Sequence, residues 1–240
     1  MKYVYNSRVQ FSQTGFNEGF SVIGAAQVVE DSVCAFFASF GKDSATICKD
    51  YNAIWVFVKN KIQKRAKVLW NEKINVESYF TKISPATVTV DTVVKNSAGE
   101  TAILARTEIC AIDFTTQRVK RISSLDLPEL KVYQSTAGFD FTRFQETALR
   151  EEYKFNVPST SIDSGRHLNN VEYLRFILNV SSVNRELENP VCETEINFVA
   201  QARENELLTV YSGMADGKEI YLIKSGDTVV VRCALSRGKR

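Results

Sequence analysis

The 240-residue sequence predicts an α+β protein of two like units, each a long buried helix wrapped by a strongly curved antiparallel sheet. Three observations predict it. An apolar stretch at residues 21–40 lacks strand alternation, runs of β-branched and aromatic residues follow it, and the same order of segments returns later in the chain.

Taken in order, residues 21–40 carry Val22, Ile23, Ala25, Val28, Val29, Val33, Phe36, Phe37 and Phe40, apolar nearly all round, which marks a buried helix. The period then changes. Residues 53–58, 68–70, 87–94 and 103–114 are rich in β-branched and aromatic side chains and read as strands. Asn96-Ser97-Ala98-Gly99 between two of them reads as a hairpin loop, so the sheet is expected to be largely antiparallel. Residues 122–153, with Leu127-Pro128, weaken into a connection. A loop at 158–168 then leads to a second helix from Asn170 to about residue 183, followed by strands at 196–202, 206–211, 220–223 and 229–235, with turns at Asp216-Gly217 and Ser225-Gly226-Asp227. Laying Asn17-Glu18-Gly19 on Asp163-Ser164-Gly165, an offset of 146 (163 minus 17), superposes the two helices. One buried helix per unit in a curved sheet is a hotdog arrangement. The expected division is a first unit at 1–125, a connection at 126–152 and a second unit at 153–240.

Composition narrows the class. Thirty basic against 28 acidic residues leave a net charge of +2, which gives no case for a nucleic-acid partner. Five scattered cysteines without a C-x-x-C pair suggest neither a disulfide framework nor a zinc site, and a reducing cytoplasm fits best. The first residues lack an apolar leader, and no apolar run approaches the roughly 18 residues of a membrane span. The tail at 236–240 is expected to fray.

The segment richest in chemistry is Ser161-Ile162-Asp163-Ser164-Gly165-Arg166-His167-Leu168-Asn169-Asn170-Val171-Glu172-Tyr173, which contains the only histidine. Asn169 is a good N-cap, Glu172 is spaced to reach back to the cap N–H, and Leu168 and Tyr173 are spaced as a hydrophobic staple. The helix should therefore start at Asn170, with Asp163 and His167 in the loop just before it. A helix start offers unpaired N–H donors and positive partial charge, suited to an oxygen that gains negative charge. Thioester hydrolysis develops such an oxyanion. Asp163 can act as general base on water or as a nucleophile, and His167 can hold the water or protonate the departing thiolate. The first half places Asn17, Ser21, Ile23 and Gly24 at the matching positions, so the ionisable pair belongs to the second half alone.

The run Asp163-x-Gly165-x-His167-x-Asn169-Asn170-Val171-x-Tyr173 resembles the D-x-N-x-H-x-N-N-V-x-Y motif of the acyl-acyl carrier protein thioesterases of plant plastids and bacteria. The stretch from Ala111 to Ile122 is similar to that family's D-x-x-T-x-R-P-x-R-I strand end, with Val119 in place of proline, and Ala53-Ile54-Trp55-Val56 resembles its W-V strand. The resemblance implies two fused hotdog domains forming an internal pseudo-dimer, no metal or cofactor, and hydrolysis of fatty acyl chains from the phosphopantetheine arm of acyl carrier protein in fatty acid biosynthesis. It assigns catalysis to Asp163, His167 and Gln201, with Gly165, Asn169 and Asn170 binding substrate. Two positions depart from the pattern: Gly165 replaces a catalytic asparagine, and Gln201, on the strand expected at 196–202, replaces a glutamate. A glutamine orients a water but does not take its proton, so base duty falls on Asp163.

Two other readings of the same fold are a hydratase of enoyl thioesters and a non-catalytic binder of acyl thioesters. Cys192, nearest the helix–strand connection, has no local signature of a nucleophile. The basic clusters at 59–67 and 118–121 read as solvated sheet edges, with a second use in steering an acidic carrier. Phe36, Phe37, Trp55 and Phe57 are expected in the core of the first unit, which by resemblance shapes the acyl tunnel.

Overall fold

In the computed structural model, which describes residues 1–16, 18–129, 131–144 and 147–238, the chain divides into two units at Asp140 and Phe141. Asn17 of the repeat and Lys239 and Arg240 of the tail lie outside the described residues.

The first unit runs β1 (Tyr3–Arg8), α1 (Val22–Ala38), α2 (Ser44–Tyr51), β2 (Ala53–Lys64), β3 (Lys73–Ile83), β4 (Thr87–Lys95), β5 (Thr101–Asp113) and β6 (Val119–Lys120). Its strands pair antiparallel in the order β1-β3-β4-β5-β2, with β6 also on β5. The β4 sequence Thr-Val-Thr-Val-Asp-Thr-Val-Val-Lys alternates two faces, and both are covered, since every residue from Val88 to Val94 is buried. On one face Val88, Val90 and Ile109 join Val33, Phe36, Phe37 and Phe80. Four rings interlock there, Phe36 with Phe80 at 4.8 Å and Phe37 with the partly buried Trp55 at 4.5 Å between centroids. A chain of buried hydroxyls, Ser32 to Ser78 to Thr92 at 2.7 Å each, ties α1 to β3 and β4 and satisfies the polar atoms on that face.

The opposite face carries Asp91 and, directly across on β5, Arg106. Arg106 donates from Nε and Nη2 to the two oxygens of Asp91 at 2.9 and 3.1 Å, and from Nη1 to the Phe139 carbonyl at 2.6 Å. Residues 133–140 thus lie over this face, held also by Tyr133 N–H on the Phe80 carbonyl and by the Tyr79 hydroxyl against Thr136.

Local signals explain the turns. Asn96 Oδ1 accepts from the N–H of Ala98 and Glu100, and Gly99 takes a φ of 81°, closing the β4–β5 hairpin. At the end of β5 the Asp113 carboxylate accepts from the N–H of Thr115 and Thr116 and from the Thr116 hydroxyl. The backbone bond from Thr116 is the chief cause that lowers the Asp113 carboxyl to about 2. The Asp-x-x-Thr spacing there is a turn device.

Ser21 caps α1 by accepting from Gly24 N–H at 2.8 Å, and the Gln13 carbonyl accepts from both Ser21 N–H and its hydroxyl. This packs the preceding backbone onto the helix start so closely that a Cβ at Gly24 would stand 2.2 Å from the Gln13 carbonyl oxygen. Gly24→Ala is expected to lower stability by about 1–3 kcal/mol through this clash. An unchanged denaturation midpoint in urea would show that the turn yields freely.

The second unit runs β7 (Arg150–Asn156), α3 (Asn170–Leu178), α4 (Val183–Glu188), β8 (Val191–Phe198), β9 (Leu207–Ala215), β10 (Lys218–Ser225) and β11 (Thr228–Arg237), with antiparallel order β8-β11-β10-β9-β7. Phe176 of α3 stacks on Phe155 of β7 at 3.9 Å, and Tyr173 of α3 faces Phe198 of β8 at 6.0 Å, which seats the helix on the sheet. Asp216 and Gly217, with φ of 49° and 74°, make the β9–β10 hairpin.

Several sequence expectations are corrected. Residues 68–70 form a single bridge, Leu69 with Gly19, while the strand lies at β3, whose interior Asn75, Glu77 and Ser78 dilute the apolar signal. The second helix stops at Leu178 because Ser182 caps a new one, accepting from Arg185 N–H. β7 occupies part of the stretch expected to connect the units. The strand expected at 196–202 is β8, ending at Phe198, after which Val199 and Ala200 both donate to the Val230 carbonyl. Lys61 is buried instead of solvated, its ammonium donating to the Asp140 carbonyl. The tail does not fray before residue 238, since Arg237 closes β11 and pairs with Glu186 and Glu219.

Candidate active site

The site is built from the loop at 161–168, the start of α3 and the loop after β8. Ser161 and Asn169 pair through the Asn169 N–H on the Ser161 carbonyl, Ile162 bridges Leu168, and Asp163 N–H donates to the His167 carbonyl at 2.9 Å. The loop is thus a tight hairpin whose tip is Ser164-Gly165-Arg166, with Arg166 at a φ of 63°. Asp163 folds its carboxylate over this tip: Oδ1 accepts from Gly165 N–H at 2.8 Å and from His167 N–H at 3.3 Å. Oδ2 accepts nothing from the described residues.

Gly165 keeps the tip open. A Cβ at this position would lie 3.1 Å from Asp163 Oδ1 and 3.7 Å from His167 Nδ1, so carboxylate and imidazole border the same small space. His167 is half-buried. Its burial, aided by the charge of Arg203 and opposed by that of Asp163, holds the imidazole pKa below the ordinary 6.5. The ring is therefore neutral at pH 7.

Asn169 is the N-cap of α3, its side chain accepting from Val171 N–H at 2.8 Å. Glu172 does not complete the expected capping box; its carboxylate takes the Ser161 hydroxyl at 3.2 Å and pairs with Arg175 at 3.0 Å. The Asn170 N–H and side-chain amide have no hydrogen-bond partner among the described residues, which leaves donors at the positive end of the helix.

Gln201 lies in the loop after β8, exposed, beyond the strand on which it was expected. The structure nevertheless brings this loop to the site: its neighbour Ala202 accepts from Leu168 N–H at 2.9 Å and donates to the Tyr173 hydroxyl at 3.0 Å. Arg203, which the sequence reading passed over, is the second cation of the site besides Arg166. No local pattern marks it, because its nearness to His167 depends on two chain segments meeting. Cys192 is not at the site; its thiol donates to the Ser236 carbonyl at 3.3 Å. No cluster of three or more potential metal ligands occurs among the described residues.

A helix seated against an antiparallel sheet in each of two units is a double-hotdog α+β fold. The chain belongs to the acyl-ACP thioesterase family, whose N-terminal domain model matches residues 1–126 and whose C-terminal domain model matches residues 145–231. Its reaction is hydrolysis of the thioester of fatty acyl-acyl carrier protein, releasing the free fatty acid. Among solved structures it is similar to an acyl-ACP thioesterase from Bacteroides thetaiotaomicron, with TM-score 0.88 at 16% identity over 99% of this chain and 98% of that one. It is similar also to a 12:0-ACP thioesterase from Umbellularia californica, with TM-score 0.84 at 12% identity over 100% of this chain and 98% of the other. A search of the curated proteins finds no match.

Proposed function

We propose that the hydrolysis takes place at the open tip between Asp163 and His167, with Asp163 as general base. The observation that carries this reading is the division of labour within one carboxylate: Oδ1 is spent on two backbone N–H groups that fix its position, and Oδ2 accepts from none of the described residues. Water attacks the acyl carbonyl while Oδ2 takes its proton. The carbonyl oxygen gains charge beside the Asn170 N–H and amide, whose stabilisation is typically worth about 3 kcal/mol per donor in such sites. Collapse breaks the carbon–sulfur bond, and the proton held by Asp163 passes to the departing thiolate, which restores the base and releases acid and thiol. His167, neutral, holds the water by a hydrogen bond instead of supplying a proton, and the Gln201 amide orients that water from the loop after β8. Asn169 holds the helix start, and Gly165 leaves the room that water and carbonyl need. The carrier is acyl carrier protein, met in a reducing cytoplasm, without nucleic acid or membrane as partner.

The test is a thiol-release assay with acyl carrier protein thioesters, run on the protein and on Asp163 and His167 variants. Normal turnover in both would remove the site. The pH profile gives a second check. Because His167 must be neutral and its pKa lies below 6.5, the acid limb of kcat/KM is expected below pH 6.5. Arg203→Gln, which removes a charge opposing protonation, should move that limb upward; a limb that stays in place would separate His167 from the reaction. The same depressed pKa favours the folded state above 6.5, and that contribution is lost as pH falls through the folded value.

A further inference from the structure

The loop after β8 is tied to the sheet at its two ends. Val199 and Ala200 donate to the Val230 carbonyl, and Asn205 and Glu206 exchange hydrogen bonds with Val157. Between these ends the loop's hydrogen bonds to the site, among the described residues, are those of Ala202, which is fully buried while Gln201 and Arg203 on either side are exposed. Its carbonyl accepts from Leu168 N–H, and its N–H donates to the hydroxyl oxygen of Tyr173. Tyr173 lies on α3 three residues after Asn170, one helical turn behind the donors of the site.

We propose that Tyr173 is a positioning residue, a latch whose hydroxyl oxygen holds the loop after β8 against the start of α3 so that Gln201 and Arg203 stand beside His167. The inference rests on the site proposed above and adds a residue that touches neither substrate nor water. A phenylalanine would fill the same volume against Phe198, so only the oxygen explains a tyrosine here. Burial pushes the phenol up to about 12, which keeps it a neutral acceptor at every working pH. Without it the Ala202 N–H would be a buried donor lacking a partner, and the loop would open to hydrate it. The charged groups around His167 are Asp163 and the adjacent Arg166 on its own loop and Arg203 on the latched loop, and the phenol itself faces Asp163 and Glu206.

The chain has one histidine, so the imidazole proton signal of His167 can be followed by NMR without assignment. In Tyr173→Phe the loop should lift, removing both cover and the Arg203 charge, and the His167 titration should rise toward 6.5. Turnover should fall by about tenfold in kcat with KM changed less than about twofold, the mark of lost positioning. Tyr79→Phe, which removes a comparable hydroxyl contact in the first unit, should leave the titration alone. An unmoved His167 titration in folded Tyr173→Phe overturns the latch. A moved titration with unchanged kcat supports the latch and overturns the placement of the reaction at His167. Hydrogen exchange in the unaltered protein is an independent reading: the Ala202 amide should exchange slowly although it lies outside any strand, and exchange at the rate of an open loop overturns the proposal.

Discussion

Asp163→Asn is expected to cut kcat by roughly two to four orders of magnitude while leaving the fold and substrate binding nearly intact. The asparagine oxygen can still accept from Gly165 and His167 N–H, so the hairpin tip keeps its shape. What disappears is the group proposed to take a proton from water. Thiol release from an acyl carrier protein thioester, measured together with the thermal midpoint, checks both halves of the expectation. Full turnover in a folded Asp163→Asn protein would show that the proton goes elsewhere, and the assignment of the base would fail. A loss of folding would mean that the carboxylate is part of the hairpin's structure first.

The largest effect on stability is expected at Arg106. Arg106 and Asp91, 9% and 1% exposed, face each other across β4 and β5, and the Ser135 hydroxyl donates to the Asp91 carboxylate. Arg106→Leu leaves Asp91 as a buried charge without its cation, which typically costs about 3–5 kcal/mol. It also frees the Phe139 carbonyl, so residues 133–140 lose one hold on the sheet. Asp91→Val with Arg106→Leu should recover most of the loss, because a β-branched and an aliphatic side chain fit a face already lined by Tyr79, Val93 and Leu104. Urea denaturation of the single and double variants decides it. A double variant as unstable as the single one would locate the cost in the lost contacts to 133–140 instead of the unpaired charge.

Much of the site could be read from residue order. The N-cap at Asn169, the helix start at Asn170 and the placement of Asp163 and His167 in the loop before it are short-range features, set by side chains bonding to backbone within a few residues. The hairpin at Asn96 to Gly99 is of the same kind. Glu172 shows the limit: its spacing allowed a capping box, yet its carboxylate is drawn away by Ser161 and Arg175, partners that a three-residue rule does not weigh. β3 and β7 were missed because polar residues such as Glu77, Ser78, Glu151 and Lys154 break the apolar alternation of strands. On β3 the polarity has a tertiary reason, since Ser78 lies in the buried hydroxyl chain from Ser32 to Thr92.

By itself the sequence determined the α+β class, the repeated helix and sheet, and the carboxylate and lone imidazole ahead of the second helix, since each depends on neighbours along the chain. The tertiary structure alone decided that Ala202 meets Leu168 and Tyr173, that Arg203 thereby lowers the pKa of His167, and that Gln201 stands past the end of β8. It also buried Lys61, within a cluster that looks like surface charge in the sequence, and set Arg106 opposite Asp91. These outcomes rest on contacts between segments tens of residues apart, where the cost of desolvating a group is set by which distant atoms arrive to hydrogen-bond it.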